Sequence, residues 1–143
     1  MSVLVAWVRL ERATEAFNLT LKQEFGLTGL QLSILHILGE RPALPLAALR
    51  KTLVMHAATL GQAVDALRLM GLCEVGRNPA DRRARVVSLT EAGVALLARL
   101  PLSGPVRLRQ VATDPVRLER LAAALEDALE LFGLEPWAPN GKA

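Results

Sequence analysis

Residues 71–93 read GLCEVGRNPADRRARVVSLTEAG, and this stretch is the strongest indication of the fold. Two segments that suit β-strands, residues 72–75 and 84–89, flank a polar loop that carries Asn, Pro, Asp and three arginines. This pattern predicts a β-hairpin, because Asn, Pro and Asp favour turns while β-branched residues favour strands. Thr90 then stands where a hydroxyl caps the next helix, which we expect to begin at Glu91.

Helical patterns fill the chain before this hairpin. Residues 2–24 predict one long helix with apolar residues on more than one side, and Thr28-Gly29-Leu30-Gln31 has the form of a capping box for the next helix. Residues 45–53, with Pro45 at the start, and residues 57–70 predict two short helices. Two short helices joined by a few residues are typical of a helix-turn-helix, although many helical pairs that do not bind DNA share the pattern.

The chain after the hairpin supplies one further long helix. Prolines and a glycine within residues 101–115 argue against a continuous helix there. Asp114 and Pro115 suit the start of a last helix, along which an apolar stripe runs from Leu118 to Phe132. The first helix, with two apolar faces, needs two surfaces to pack against, of which one can be the core and the other a second subunit.

The net charge of the chain, +3, is distributed unevenly. Residues 41–90 contain eight basic and three acidic residues and carry +5, whereas the rest of the chain carries −2. Four of the eight positive charges, at positions 77, 82, 83 and 85, lie on the hairpin. A basic segment within an acidic frame indicates a nucleic-acid-binding surface on a scaffold, with chance clustering of charge as the alternative.

Length and composition exclude several classes of protein. A chain of 143 residues, 52% apolar and 22% charged, suits one folded domain over residues 1–143 rather than a disordered chain. Its apolar runs fall short of the roughly 18–20 residues of a membrane span, and its N-terminus lacks the features of a secretory signal. We therefore expect a cytoplasmic protein that does not bind a membrane.

The sequence contains no set of residues typical of catalysis or metal binding. Two histidines and the single cysteine, Cys73, are unclustered and do not form a metal site. No serine has a plausible histidine and acidic residue as partners for nucleophilic catalysis, and the sequence contains no glycine-rich phosphate-binding loop. We expect neither an enzyme nor a cofactor, and we expect Cys73 to be a buried, inert thiol.

Residues 27–100 contain several short motifs in a fixed order. The motifs are Leu27-Thr28 with Gln31, Gly71-Leu72, Asn78-Pro79-Ala80-Asp81-Arg82-Arg83 and Ser88-Leu89-Thr90-Glu91-Ala92-Gly93. In these residues and their spacing the chain resembles the MarR family of bacterial transcription regulators. The resemblance implies a mainly α fold with a small β-hairpin: a winged helix-turn-helix over residues 28–90, with dimerisation helices at residues 1–25 and 114–133.

The hairpin of such a fold, called the wing, can place its tip in a minor groove, where an arginine meets enhanced negative potential. By resemblance to the family, Asp81 orients the wing and Arg83 reaches the DNA. Arg82 and Arg85 are expected to contact phosphates, and Arg77 is a further candidate for DNA contact.

By the same resemblance, the helix at residues 57–70 lies in the major groove and reads base edges. The candidate readers are His56, Thr59 and Gln62, with Arg68 near the far end of the helix. Gln can bond to adenine and Thr can touch a thymine methyl group, so Thr59 and Gln62 are the residues that we expect to contact DNA. The family often has an arginine where this chain has Gln62, and a serine or threonine where it has Gly61. Arg50 and Lys51, on the preceding helix, are expected to anchor a phosphate.

The resemblance further implies a homodimer that binds a pseudo-palindromic operator, represses transcription by occupying the DNA, and is released by a small, often aromatic ligand. Trp7, Phe17 and His36 are candidates to line the ligand pocket, with packing in the core as the alternative. A second hypothesis, favoured by the few polar residues at 57–62, is a winged-helix dimer that no longer reads DNA and acts as a protein-interaction module.

Overall fold

The computed structural model describes residues 1–139. The single domain predicted over residues 1–143 extends past this range, and residues 140–143 lie outside the described residues. The elements follow one another in the order α1 (Val3–Phe25), α2 (Gly29–Glu40), β1 (Leu44–Pro45), α3 (Leu46–Leu53), α4 (Ala57–Leu69), β2 (Cys73–Asn78), β3 (Asp81–Leu89), α5 (Glu91–Leu97), α6 (Arg107–Gln110), α7 (Pro115–Leu131) and a 3₁₀ turn at Glu135–Trp137.

Caps define the ends of several helices. The predicted capping box of α2 is confirmed: the backbone N–H of Gln31 donates to Thr28 Oγ1 over 3.1 Å, and the backbone N–H of Thr28 donates to Gln31 Oε1 over 3.0 Å. Thr90 and Asp114 accept hydrogen bonds from backbone N–H groups in the first turns of α5 and α7. α1 ends at Gly26, whose φ of 69° lies in the left-handed region that glycine adopts readily.

The predicted hairpin forms part of a three-stranded antiparallel sheet with the strand order β1-β3-β2. The two residues of β1, Leu44 and Pro45, pair with Val87 and Val86 of β3. The prediction that Pro45 begins a helix is wrong, because Pro45 belongs to this edge strand and α3 begins one residue later. Proline suits an edge strand because it has no N–H group that would need a partner in the ladder.

α2 lies at the centre of the hydrophobic core. Seven of its twelve residues are buried, and the helix packs against α4, α5 and β3. Leu49 of α3, Leu67 of α4 and Val87 of β3 are fully buried in the same core. The helix-turn-helix and the base of the wing are therefore held together by one continuous apolar cluster.

α1 and α7 contribute little to this core. Leu21 is the one buried residue of α1, and no residue of Pro115–Leu131 is buried. Large apolar side chains are instead exposed on both helices, namely Val3, Leu4, Val5, Trp7, Leu10 and Leu19 on α1 and Val116, Leu121, Leu125 and Leu131 on α7. Residues 1–139 leave this apolar surface uncovered.

Polar contacts hold the segment between α5 and α7 against α2. The segment contains the short α6 and no continuous helix, as its prolines predict. The guanidinium of Arg109 donates to both carboxylate oxygens of Glu40, over 3.2 and 2.9 Å. Gln110 Nε2 donates to the backbone carbonyl of His36 over 3.2 Å. α7 therefore departs from a segment that is anchored at the end of α2.

Candidate nucleic-acid interface

The tip of the wing is held by two hydrogen bonds from side chains to the backbone. Asn78 and Asp81 are paired across the turn between β2 and β3. Asn78 Oδ1 accepts from the backbone N–H of Ala80, and Asp81 Oδ1 accepts from the backbone N–H of Arg83, each over 3.0 Å. Asn and Asp favour turns because their side chains can bond to the backbone two residues ahead. Asp81 therefore holds the backbone at the residue whose side chain we expect to reach DNA.

The arginines of the wing are exposed and close to one another. Arg77 and Arg85 are direct partners across β2 and β3, so their side chains lie on the same face of the sheet. Arg82 and Arg83 are exposed at the start of β3. The ion pairs formed within residues 1–139 lie elsewhere, at Arg68–Asp65 and Arg109–Glu40. Like charges directly opposite one another destabilise a sheet, and a polyanion bound to the wing would offset that cost.

α4 presents a much less polar surface. Leu60, Val64 and Leu67 face the core, and the residues predicted to read bases, Thr59 and Gln62, are exposed. Their exposed neighbours in the first two turns are alanine and glycine. At the other end, Arg68 donates to Asp65 over 2.7 and 3.0 Å, so a carboxylate already neutralises the one basic residue of this helix.

Arg50 and Lys51 lie in the last turn of α3, directly before the turn that leads into α4, and both are exposed. The residues that the sequence predicts to touch DNA thus lie on α3, on α4 or on the wing, and each of them is accessible to solvent. A helix with a charged hairpin beside it is the arrangement of a winged helix.

A sequence model of the MarR family matches residues 25–84, which extend from the end of α1 into the wing. Over these residues the chain is similar to the MarR family. No curated protein sequence matches the chain.

Solved structures of similar fold confirm the predicted fold class. A probable transcriptional regulator from Pseudomonas aeruginosa is 28% identical, with a TM-score of 0.59 over 84% of this chain and 93% of that chain. BpsR of Bordetella bronchiseptica, whose DNA binding is regulated by 6-hydroxynicotinic acid, is 25% identical, with a TM-score of 0.65 over 88% and 91%. A mutant of MarR from E. coli in complex with operator DNA is 23% identical, with a TM-score of 0.64 over 85% and 90%.

The candidates for a ligand pocket lie in different surroundings. The ring of Trp7 contacts Phe132 edge to face, with ring centroids 5.4 Å apart, and Phe17 packs against the core. His36 is buried, and its Nε2 lies 3.0 Å from the carbonyl oxygen of Pro101. His36 borders a cleft of about 340 Å³ whose other lining residues are Gly39, Glu40, Leu97 and Gln110. Neither Trp7 nor Phe17 lines that cleft.

The remaining reactive groups within the described residues are buried or dispersed. Cys73 is buried at the start of β2, and burial raises the pKa of its thiol to about 11, so the thiol stays protonated at neutral pH. Among residues 1–139, no three histidine, cysteine, aspartate or glutamate side chains are grouped so that they could hold a metal ion. No helix of the described part of the chain is long and apolar enough to cross a membrane.

Sequence reasoning missed the contacts that form between distant segments. Glu40 and Arg109 are separated by 69 positions, and neither residue carries a local signal that predicts the other as its partner. The pairing of Asp65 with Arg68 is different, because a carboxylate three residues before an arginine on one helix is a signal that the sequence contains.

Proposed function

We propose that this protein is a transcription regulator that binds double-stranded DNA as a homodimer through the wing and α4. The observation that carries the proposal is the wing, where Asp81 holds the backbone of Arg83 and four exposed arginines have their side chains on or near the tip. Such a surface suits the phosphate backbone of DNA and the narrow minor groove between its phosphates.

In this proposal each part of the interface has a separate role. Arg83 enters the minor groove, and Arg77, Arg82 and Arg85 contact phosphates on either side. α4 lies in the major groove, where Thr59 and Gln62 touch base edges. Arg50 and Lys51 contact the phosphates beside α4, since they lie exposed at the end of the preceding helix.

The exposed apolar side chains of α1 and α7 support a homodimer. A helix with no buried residue, such as α7, gains little stability from its own chain and needs a partner surface. The contact between Trp7 and Phe132 brings the start of α1 beside the end of α7, so that both helices can offer one apolar surface to a second copy. A symmetric dimer presents two copies of α4, which is why we expect a pseudo-palindromic operator.

We further propose that the protein is a cytoplasmic repressor that a small aromatic ligand releases from DNA. BpsR, at 25% identity, has its DNA binding regulated by 6-hydroxynicotinic acid. The cleft beside His36 has a volume of about 340 Å³, within the roughly 300–1,000 Å³ typical of ligand sites, and it lies where the segment leading to α7 meets α2. A ligand that prefers one orientation of α7 would shift the spacing of the two α4 helices.

The test of DNA binding is selection from a library of random duplexes, followed by sequencing and by titration of the recovered duplex at several salt concentrations. We expect a palindromic consensus with half-sites about one helical turn apart, and an affinity that falls steeply with salt because bound arginines and lysines release counterions. Sedimentation of the protein without DNA measures its oligomeric state and tests whether it is a dimer.

The alternative function, a protein-interaction module, is favoured by the alanine and glycine residues on the exposed face of α4. It predicts that the selection recovers no consensus and that no duplex binds at low salt, while the chain is still a dimer. That combination of results would reject the regulator and retain the module.

A further inference from the structure

A shallow hollow lies between α3 and the first two turns of α4. It has a volume of about 150 Å³ and is lined by Leu46, Ala47, Arg50, Ala57, Leu60 and Gly61. Its walls are apolar apart from Arg50, which is exposed and carries the only charge among these side chains. The hollow adjoins the surface that α4 would turn toward the major groove, because Gly61 precedes the predicted reader Gln62 in the same helix.

Gly61 lines this hollow, and packing gives no reason for a glycine there. A Cβ atom at Gly61 would have no neighbouring heavy atom within 4 Å, and the residue has no positive φ. At Gly93 a Cβ would collide with the backbone of Leu72, so packing requires glycine there, whereas at Gly39 it would meet only the flexible side chain of Leu97. Glycine within a helix is less stable than alanine, so Gly61 carries a cost that no contact within the described residues explains.

The chemistry of the neighbouring surface indicates what enters the hollow. In the first two turns of α4, Thr59 and Gln62 are the exposed side chains that can form hydrogen bonds, and the others are Ala57, Ala58 and Gly61. Beside these two polar groups, the exposed surface of the helix suits apolar features of the bases. In the major groove the apolar feature of a base edge is the methyl group at position 5 of thymine.

We propose that the hollow beside Gly61 receives the 5-methyl group of a pyrimidine in the major groove, and that it makes the protein select thymine at that position. This proposal rests on the DNA binding proposed above. The charge of Arg50 at the hollow complements the phosphates that border the groove and holds the duplex against it. Thymine and 5-methylcytosine carry the same methyl group at the same place, so the hollow suits both bases.

The test on the DNA side removes the methyl group and nothing else. The probe is the tightest duplex recovered from the random library, with deoxyuridine replacing thymidine at one position at a time. We expect about a fourfold loss of affinity at one thymine of each half-site and no change at the others, because burial of one methyl-sized group contributes a factor of about four. Cytosine at that position should bind more weakly than thymine, and 5-methylcytosine should recover about fourfold.

The test on the protein side fills the hollow. Gly61→Ala and Gly61→Leu should melt at or above the temperature of the wild-type protein, since alanine and leucine favour helices and no neighbour obstructs them. Gly61→Leu should bind the thymine and deoxyuridine probes equally, and Gly61→Ala should retain part of the preference. Ala92→Leu, which adds the same side chain to the exposed surface of α5, is the control and should keep the full preference for thymine.

The outcomes separate this proposal from the proposed function. Failure of every duplex to bind would reject the DNA-binding function, and the role of the hollow with it. Tight binding that is the same with thymidine and deoxyuridine at every position would reject the role of the hollow and leave DNA binding intact. A full preference for thymine in Gly61→Leu would place the recognition of the methyl group elsewhere on the protein.

Discussion

The wing and α4 lie side by side in the winged helix, yet they offer DNA opposite kinds of surface. The wing carries four exposed arginines and a tip that local hydrogen bonds hold in place. α4 exposes mainly alanine and glycine in its first two turns, and its one arginine is paired with Asp65. Attraction to the phosphate backbone and recognition of bases can therefore be divided between two elements, so each can be tested without removing the other.

The largest effect should come from the tip of the wing. Arg83→Ala should weaken DNA binding at least about 100-fold at every sequence, because a dimer loses two charge-assisted hydrogen bonds that contribute about 1.5–3 kcal/mol each. The salt dependence should also become shallower, because an arginine in the minor groove displaces counterions from the phosphates on either side. Titration of a fluorescent duplex at several salt concentrations measures both quantities.

Arg120→Ala is the matched control for that substitution, because it removes the same charge from α7, outside the winged helix. It should leave affinity within about twofold, since a distant surface charge is largely screened at physiological salt. An equal loss in both variants would show that overall charge, rather than the wing, attracts the DNA.

The next largest effect separates the orientation of the wing from its charge. Asp81→Ala removes the acceptor that holds the backbone N–H of Arg83, and we expect about a tenfold loss of affinity from a tip that is no longer preorganised. If Asp81 acted only through its negative charge, its removal would strengthen binding to a polyanion.

Glu74→Ala, which removes an exposed carboxylate from β2 without touching the tip, supplies the comparison for Asp81→Ala. It should bind DNA as tightly as the wild-type protein or more tightly. Parallel gains in affinity from both substitutions would contradict the orienting role of Asp81.

A smaller effect, opposite in sign, is expected on α4. Asp65→Ala removes a carboxylate from α4 and frees Arg68, so affinity for DNA should rise about threefold at low salt. Stability should change by less than about 0.5 kcal/mol, because the side chains of Arg68 and Asp65 are 48% and 57% exposed. An unchanged affinity at low salt would show that this end of α4 does not approach the phosphates.

The smallest effect lies outside both surfaces, at the contact between Glu40 and Arg109. The hydrogen bonds from Arg109 lower the pKa of Glu40 below its ordinary value of 4.5. A lowered pKa in the folded state means that the contact stabilises the fold above about pH 4.5 and loses this effect as the pH falls through the lowered pKa. Glu40→Gln should therefore reduce the free energy of unfolding by about 1 kcal/mol or less at pH 7.

Urea unfolding of the wild-type protein and Glu40→Gln at pH 7 and at pH 3 measures this difference, which should shrink at the lower pH. DNA affinity should be unchanged at neutral pH, because the contact lies at the end of α2 rather than on the wing or α4. A difference in stability that persists undiminished at pH 3 would mean that packing, rather than the charge of Glu40, makes the contribution.

Features that depend on neighbours in sequence could be predicted from the sequence. The capping box at Thr28 and Gln31 and the N-cap at Asp114 involve residues two or three positions apart, and the structure contains both. The tip of the wing follows the same rule, since Asp81 bonds to the backbone two residues ahead. Side chains whose contacts are this local have one favourable arrangement that composition and spacing reveal.

Features that join distant segments could not be predicted. Pro45 suits the start of a helix by every local rule, yet it pairs with Val86 because folding brings that edge of β3 beside it. The hollow at Gly61 exists only where α3 meets α4, and the sequence shows merely a glycine in a helix. The exposed residues expected to contact DNA could be identified from their residue types. The pairing of Glu40 with Arg109 could not be predicted in this way.

Local signals in the amino-acid sequence were enough to place the helices other than α6, to place the wing, and to show the concentration of positive charge on residues 41–90. These follow from propensities, caps and charges that each residue carries into any fold. The edge strand at Pro45, the anchoring of the α6 segment on α2, the open space at Gly61 and the uncovered apolar faces of α1 and α7 emerged only in the folded molecule. These four features depend on which distant segments come into contact, and close packing of the whole core around α2 determines those contacts.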